Sequence, residues 1–365
     1  MIILHAFILL IILLTLSVSV YNFFTAPRLE TLRGGDIASP KVSVLIPARN
    51  EEKNIGGCLD RVFSLNYGNI EVIVYDDMSE DGTSRVLERY GSAGGRLKVI
   101  RGRPKPEGWT GKSWACHNLH AASSGDLLLF VDADVMLSPS CLDGAAPGAM
   151  EKGVSLISCF PRQRMRTPGE WLIVPLMNWI LLSLLPLKLV YSSGEPSLAA
   201  ANGQFMLFKR TEYESLGGHE AVKDRLVEDV AFANLIKKAG GRVMTCVTRG
   251  EVSCRMYAGL KESVLGFTKN FFPGFGMPIP VFAVFVAALF TAFFAPFILV
   301  FTRPWYILDI ALICAARALI SYASGQNIPL NIVLHPFQMA GMAAVGVSSA
   351  AAYATGNIRW KGRKV

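Results

Sequence analysis

The sequence predicts an α/β domain, a parallel sheet with helices on both faces, set between apolar segments long enough to cross a membrane. Three observations carry this expectation. Residues 40 to about 270 alternate strand-like and helix-like runs, the pattern of repeated βαβ units. Residues 2–24 contain no Asp, Glu, Lys or Arg and would span a hydrocarbon core of about 30 Å. Beyond residue 275 the chain turns apolar again, and 52% of its 365 residues are hydrophobic.

The first apolar run has no Lys or Arg before it, whereas Arg28, Arg33 and Lys41 follow. A cleaved signal peptide would want a basic start and a small-residue cleavage site. The charge pattern favours an uncleaved anchor with its C-terminal end in the cytoplasm. Residues 279–302 and 329–355 are each long enough to span, and 304–324 is apolar but carries Asp309 and Arg317. Those two fall roughly on one helical face. They read as a structural pair or as marks of an interfacial helix, with a functional role the other reading. Three C-terminal spans would put the basic tail RWKGRK outside; two spans, or four segments with one re-entrant, keep it inside, which the charge rule prefers.

The expected organisation is therefore an anchor (1–26), an α/β domain (40–270), membrane helices (275–357) and a basic tail (358–365). This describes a multi-pass cell-membrane protein with its central domain in the cytoplasm. The net charge of +8 suits basic residues near anionic headgroups. No basic patch is interleaved with stacking aromatics, so nucleic acid is not an expected partner. Seven scattered cysteines without a CxxC pair or Cys/His ligand spacing indicate reduced thiols and no structural zinc.

Within the central domain, KVSVLIPA (41–48) is a β-branched first strand, and the stretch after it turns helical. IEVIVYDD (70–77) is the second strand, followed by a helix opening at Ser79. LKVIRG (97–102) is the third. GKSWACHNLHAASSG reads as a helix closed by Gly125, leading to the fourth strand, DLLLFVDAD. AANGQFMLFKR (200–210) reads as a strand on which Gly203 permits close approach to an acceptor, with Asn202 alternatively a turn residue. Residues 170–192 are apolar enough for a span, but one crossing there would separate polar residues that belong together. They read instead as a helix in the interface or packed on membrane helices, with Trp171 and Trp179 near the headgroups; an ordinary core helix is the alternative.

Ligands of such sheets bind outside the carboxyl ends of the strands. The first strand ends in Pro47, Ala48, Arg49, Asn50 and Glu51, the second in Asp76 and Asp77, the fourth in Asp132 and Asp134. Any one of these aspartates alone reads as a turn or cap. Their convergence needs a compensating positive charge, and Mg²⁺ or Mn²⁺ clamping a diphosphate supplies one. Asp76 and Asp77 could accept hydrogen bonds from a base or ribose, and Lys112 could meet the diphosphate. Glu228 and Asp229, near the start of an amphipathic helix, offer a general base or merely favourable charge at a helix N-terminus.

Together these residues resemble the family 2 inverting glycosyltransferases, whose fold is GT-A (Rossmann-like). VSVLIPARNEEKNI is similar to that family's opening strand, VYDDMSEDGT to its V-D-D-x-S-x-D-G-T, VDADV to its D-x-D, and VEDVAF to its E-D motif. The resemblance covers about residues 41 to 245, with the four motifs in order. GWTGKSWACHNL and the flanking apolar helices more narrowly resemble carotenoid- or hopanoid-associated glycosyltransferases. The resemblance implies that Asp76 and Asp77 hold the nucleoside of a donor, a UDP-sugar or similar nucleoside-diphosphate sugar, with Pro47, Ala48, Arg49 and Glu51 lining its pocket. Asp132 would contact the sugar nucleotide and Asp134 the metal. Asp229 would be the base that deprotonates a lipid-type acceptor, with Glu228 beside it. Processive members carry Q-x-x-R-W before their membrane helices; residues 254–272 here lack it, which favours transfer of a single sugar. A processive polysaccharide synthase and a non-catalytic nucleotide-binding scaffold are the rival readings.

Overall fold

A computed structural model describes residues 2–32, 39–91, 96–356, 359–360 and 363–364. Arg33, one of the cations flanking the first apolar run, and part of the basic tail lie outside them. The chain opens with α1 (Ile2–Thr25), β1 (Val42–Ala48), α2 (Ile55–Phe63), β2 (Ile70–Asp76), α3 (Thr83–Gly91) and β3 (Leu97–Arg101). There follow α4 (Gly111–Ala121), β4 (Leu127–Val131), β5 (Val135–Leu137), α5 (Cys141–Lys152), β6 (Leu156–Phe160) and β7 (Arg162–Gln163). Next come α6 (Pro168–Ile173), α7 (Pro175–Leu184), α8 (Leu187–Ser192), β8 (Phe205–Lys209), α9 (Arg210–Ser215), α10 (Glu228–Lys238), β9 (Val243–Val247) and β10 (Val252–Cys254). The chain closes with α11 (Leu260–Phe275), α12 (Ile279–Leu299), α13 (Tyr306–Ala323), α14 (Ile328–Val333), α15 (His335–Ala354) and a short β11 (Arg359–Trp360) and β12 (Arg363–Lys364).

Two units result. One comprises Pro27–Arg162 and Lys188–Cys254, the other Met1–Ala26, Gln163–Leu187 and Arg255–Val365. The first is the α/β unit. Its seven-stranded sheet runs β3-β2-β1-β4-β8-β6-β9. All five residues of β4 are buried, as expected of an apolar strand covered on both faces. α2 turns Ile55, Cys58, Leu59 and Val62 inward at helical spacing.

The first four strands are parallel neighbours as read from the sequence, but the whole sheet is mixed. β8 runs antiparallel between β4 and β6. The register Val131↔Phe205 sets the start of β8 beside the end of β4. That brings residues 202–204 against the paired aspartates, an arrangement a parallel strand would not give.

Two local expectations also change. α4 ends at Ala121 with Ala122 as its C-cap, so Gly125 does not close it. A Cβ on Gly125 would lie 2.6 Å from Ser43 N and 2.8 Å from Lys41 O; glycine is there because two backbones meet. α3 opens at Thr83, whose N–H donates to Asp81 Oδ1 at 3.0 Å. Asp81 thereby closes the turn of residues 81–83, and the helix begins after it rather than at Ser79.

The second unit is helical. Three of its helices, Ile2–Thr25, Ile279–Leu299 and Tyr306–Ala323, are long and apolar enough to cross a membrane. The run 329–355 is not one helix: it breaks at Leu334, next to Pro336, into α14 and α15. Asp309 and Arg317 do not pair. Eight residues advance a helix by about 12 Å, and each finds a partner on another helix. Asp309 Oδ2 lies 3.1 Å from His5 Nε2, while Arg317 donates to the Gln338 side chain.

Residues 170–192 form α6, α7 and α8. Asn22 of α1 donates to the carbonyls of Leu182 (2.9 Å) and Leu185 (2.8 Å) and accepts from Leu187 N (2.8 Å). These bonds satisfy the carbonyl end of α7. Trp179 is not at a surface: it is 1% exposed and packs edge-on against Phe293 at 4.9 Å. α7 buries seven of its ten residues, so its apolar length is consumed by neighbours in the helical unit. Trp171 is half-buried, and its carbonyl accepts from Gln338 Nε2 at 2.8 Å.

Candidate active site

The loops after β1 and β2 lock into each other. Arg49 Nη1 donates to the carbonyls of Asp77 (2.6 Å) and Met78 (3.2 Å), and Nη2 to Glu80 Oε1 at 3.3 Å. Asn50 takes φ 53°, a left-handed conformation that asparagine tolerates. Its side chain accepts from Glu80 N at 2.8 Å. Asp76, in register with Ala48, accepts from Ser79 N (3.1 Å) and Ser84 Oγ (2.5 Å). Glu51 accepts from Asn54 Nδ2 at 2.7 Å. Pro47, Ala48, Arg49, Glu51, Asp76 and Asp77 therefore stand together at one sheet edge. Much of the polarity of Arg49 and Asp76 goes into shaping that edge.

The second group centres on the turn after β4. Asp132 and Asp134 flank buried Ala133, and Val135 N closes the turn onto Asp132 O at 3.1 Å. From the β8 side, Gln204 O accepts from Asp132 N at 3.4 Å. Beneath, buried Cys58 of α2 approaches Asp132 O at 4.0 Å. Its thiol pKa is pushed up by burial and then by the charges of Asp134, Asp132 and Glu51, a thiol held neutral under a field of carboxylates.

Lys112 enters this group from α4, whose first turn is capped by Thr110: its hydroxyl accepts from Ser113 N at 3.1 Å. Lys112 Nζ lies 2.8 Å from Asp132 Oδ1, 3.0 Å from Glu228 Oε1 and 3.3 Å from Gly203 O. Burial disfavours its ammonium, yet Asp132 and Glu228 outweigh this and hold its pKa well above the usual lysine value.

Glu228 and Asp229 form the first turn of α10. Asp229 Oδ2 accepts from Gly203 N at 2.7 Å and Oδ1 from Val230 N at 2.8 Å. Its pKa rises from 3.8 to about 6, first through burial and then through the charge of Glu228, against the lowering influence of Lys112 and the two N–H bonds. A carboxylate poised near 6 suits proton abstraction at neutral pH.

All of the sequence-derived candidates fall into these two groups. Gly203, read from the sequence as permitting close approach to an acceptor, bonds through its backbone to both Lys112 and Asp229. Thr110, Gln204 and Cys58 were not singled out. Thr110 could have been found as a Thr two residues before a helical lysine; a backbone carbonyl such as that of Gln204 leaves no signal in a sequence.

Among the described residues, no three His, Cys, Asp or Glu side chains form a metal cage. Two hard carboxylates on one tight turn nevertheless fit Mg²⁺ or Mn²⁺, which fill their coordination with phosphate oxygens and water.

Comparison with known proteins agrees with this architecture. Residues 43–217 match the model of Glycosyl transferase family 2. The 4,4'-diaponeurosporenoate glycosyltransferase of Staphylococcus haemolyticus is 28% identical over 232 residues, covering 63% of this chain and 60% of that protein. Its namesake from Staphylococcus aureus is 27% identical over 247 residues, covering 64% and 62%. The match thus spans about three-fifths of the length of these relatives. Among solved structures, the mannosyltransferase PcManGT of Pyrobaculum calidifontis, in complex with GDP-Man and Mn²⁺, superposes with a TM-score of 0.57. It covers 96% of this chain and 98% of its own at 18% identity, a likeness of fold. The GT-A-like sheet, the four ordered motifs and the family match thus agree on a glycosyl transferase family 2 domain over residues 43–217 of this chain.

Proposed function

We propose that this chain is a membrane-bound, metal-dependent inverting glycosyltransferase. It moves one sugar from a nucleoside-diphosphate sugar, UDP-linked in this reading, to a lipid-type acceptor such as a carotenoid, a hopanoid or another membrane lipid. The observation that carries the reading is Asp229: a carboxyl with pKa raised to about 6, on a helix start shared with Glu228, joined through Gly203 and Lys112 to the D-x-D turn.

In this mechanism Pro47, Ala48, Arg49, Glu51, Asp76 and Asp77 hold the nucleoside, and Asp132 orients the sugar nucleotide. A divalent cation on Asp134 and Asp132 would supply Lewis-acid neutralisation of the departing diphosphate. Asp229 takes the proton of the acceptor O–H. The acceptor oxygen then attacks the anomeric carbon from the face opposite the diphosphate, the carbon–oxygen bond to the diphosphate breaks, and the configuration inverts. Lys112 offers positive charge to the diphosphate, and Glu228 tunes Asp229. Three helices apolar enough to span, together with relatives named for a carotenoid acid, support a lipid acceptor. The cations that follow α1 support a cytoplasmic α/β unit in a multi-pass protein.

The test is nucleoside diphosphate release by purified protein in detergent, with Mn²⁺ or Mg²⁺, a panel of nucleotide sugars and membrane lipid extract. Release that requires lipid, metal and Asp134 supports the proposal and identifies the donor. Metal-dependent nucleotide binding without turnover on any lipid favours a non-catalytic scaffold.

A further inference from the structure

The contacts of Lys112 have a consequence for how the site loads. An ammonium has three N–H donors, and here three acceptors surround it: Asp132 Oδ1 at 2.8 Å, Glu228 Oε1 at 3.0 Å and Gly203 O at 3.3 Å. Every donor has an acceptor, so none remains for a phosphate. The same ammonium engages a carboxylate of the D-x-D turn, where a divalent cation would need oxygen. Lys112 thus takes up an oxygen of Asp132 that a divalent cation would also need.

Resting on the functional reading above, we propose that Lys112 is a resident counter-cation that competes with the divalent metal for Asp132. Metal and donor then bind interdependently: the diphosphate draws the ammonium off Asp132 and Glu228, and only then is the D-x-D turn open to metal. The seat depends on Gly203. A Cβ there would lie 2.7 Å from Lys112 Nζ and 3.1 Å from Glu228 Oε1, so alanine at 203 would dislodge the ammonium without removing its charge. That separates occupancy of the seat from the general repulsion of one cation by another.

The experiment measures Mn²⁺ binding to the full-length protein by electron paramagnetic resonance, with and without UDP and GDP as probes. For the parent, donor-free Mn²⁺ binding should be weak and should tighten at least tenfold when the nucleoside diphosphate is present. For Lys112→Met, donor-free Mn²⁺ binding should tighten about tenfold, nucleoside diphosphate binding should weaken, and the coupling should collapse. Gly203→Ala should tighten donor-free Mn²⁺ binding in the same direction, and Lys112→Arg should largely preserve the coupling. Circular dichroism and thermal melts check that each variant is folded. If Lys112→Met and Gly203→Ala are folded and both leave donor-free Mn²⁺ affinity and coupling unchanged, the competition is refuted while the enzyme reading stands. Tightening in Lys112→Met alone reduces Lys112 to a general charge effect and also overturns the proposal. If the parent binds no Mn²⁺ even with nucleoside diphosphate, the functional reading itself fails.

Discussion

Replacing Glu228 with Gln should lower the apparent pKa of Asp229, and the structure bounds by how much. Both carboxylates reach toward Gly203, where a Cβ would meet Glu228 Oε1 at 3.1 Å and Asp229 Oδ2 at 3.5 Å. The two oxygens are thus at most about 6.6 Å apart, so their charges interact by at least about 2.5 kcal/mol at an effective dielectric of 20. The rise of Asp229 from 3.8 to about 6 corresponds in total to about 3 kcal/mol, at about 1.4 kcal/mol per pH unit. Burial is the larger cause, Glu228 the second, and Lys112 opposes both. Glu228→Gln should therefore move the acid limb of the kcat/KM profile down by about one pH unit. Lys112→Met, by removing the opposing charge, should move it up by a similar amount. The assay is nucleoside diphosphate release between pH 4.5 and 8 at fixed lipid; ionisation of the acceptor is common to all variants and cancels. Unmoved limbs, or two shifts of the same sign, would refute Asp229 as the titrating base.

Other expectations follow from individual contacts. Asp134→Ala should weaken Mn²⁺-dependent nucleotide binding at least tenfold by calorimetry while leaving the melting temperature near that of the parent. Gly125→Ala sets a Cβ 2.6 Å from Ser43 N and should cost about 1–3 kcal/mol, read as a lowered melting temperature. Glu170 accepts from Arg166 N, Thr167 Oγ1, Arg255 Nη2 and Gly259 N at 2.7 to 3.0 Å. Burial raises its pKa, but the Arg255 bond and the others pull it down from 4.5 to about 2. A depressed carboxyl stabilises the fold above its unfolded pKa, and that stability is lost as pH falls from about 4.5 toward 2. Glu170→Gln should therefore lower the melting temperature at pH 7 and flatten its dependence on pH in that window.

The residues of the candidate site were legible because strand ends in α/β sheets have a fixed chemical meaning. An apolar run such as Leu127–Val131 ending in Asp132 and Asp134 is explicable only if something positive waits there. The sequence could not show that Lys112 itself meets that need, because its contacts join it to Asp132, 20 positions on, and to Glu228, 116 positions on. The antiparallel course of β8 was hidden for a related reason: FMLFK reads as a strand in either direction, and direction depends on where the preceding chain has travelled. Gly125 looked like a helix cap because caps and close backbone approaches both require glycine. Asp309 and Arg317 share a helix face, but shared faces are not contacts, and His5 and Gln338 supply the actual partners.

In the proposed reaction Asp229 removes the acceptor's proton. Asp229→Asn keeps an oxygen to accept from Gly203 N but cannot take that proton. The decisive measurement is lipid-dependent release of nucleoside diphosphate by this variant, alongside its affinity for nucleoside diphosphate with metal. Turnover should fall by about a hundredfold or more, the usual scale of general base catalysis, with nucleotide affinity within a few-fold of the parent. Turnover close to the parent's would contradict that role of Asp229.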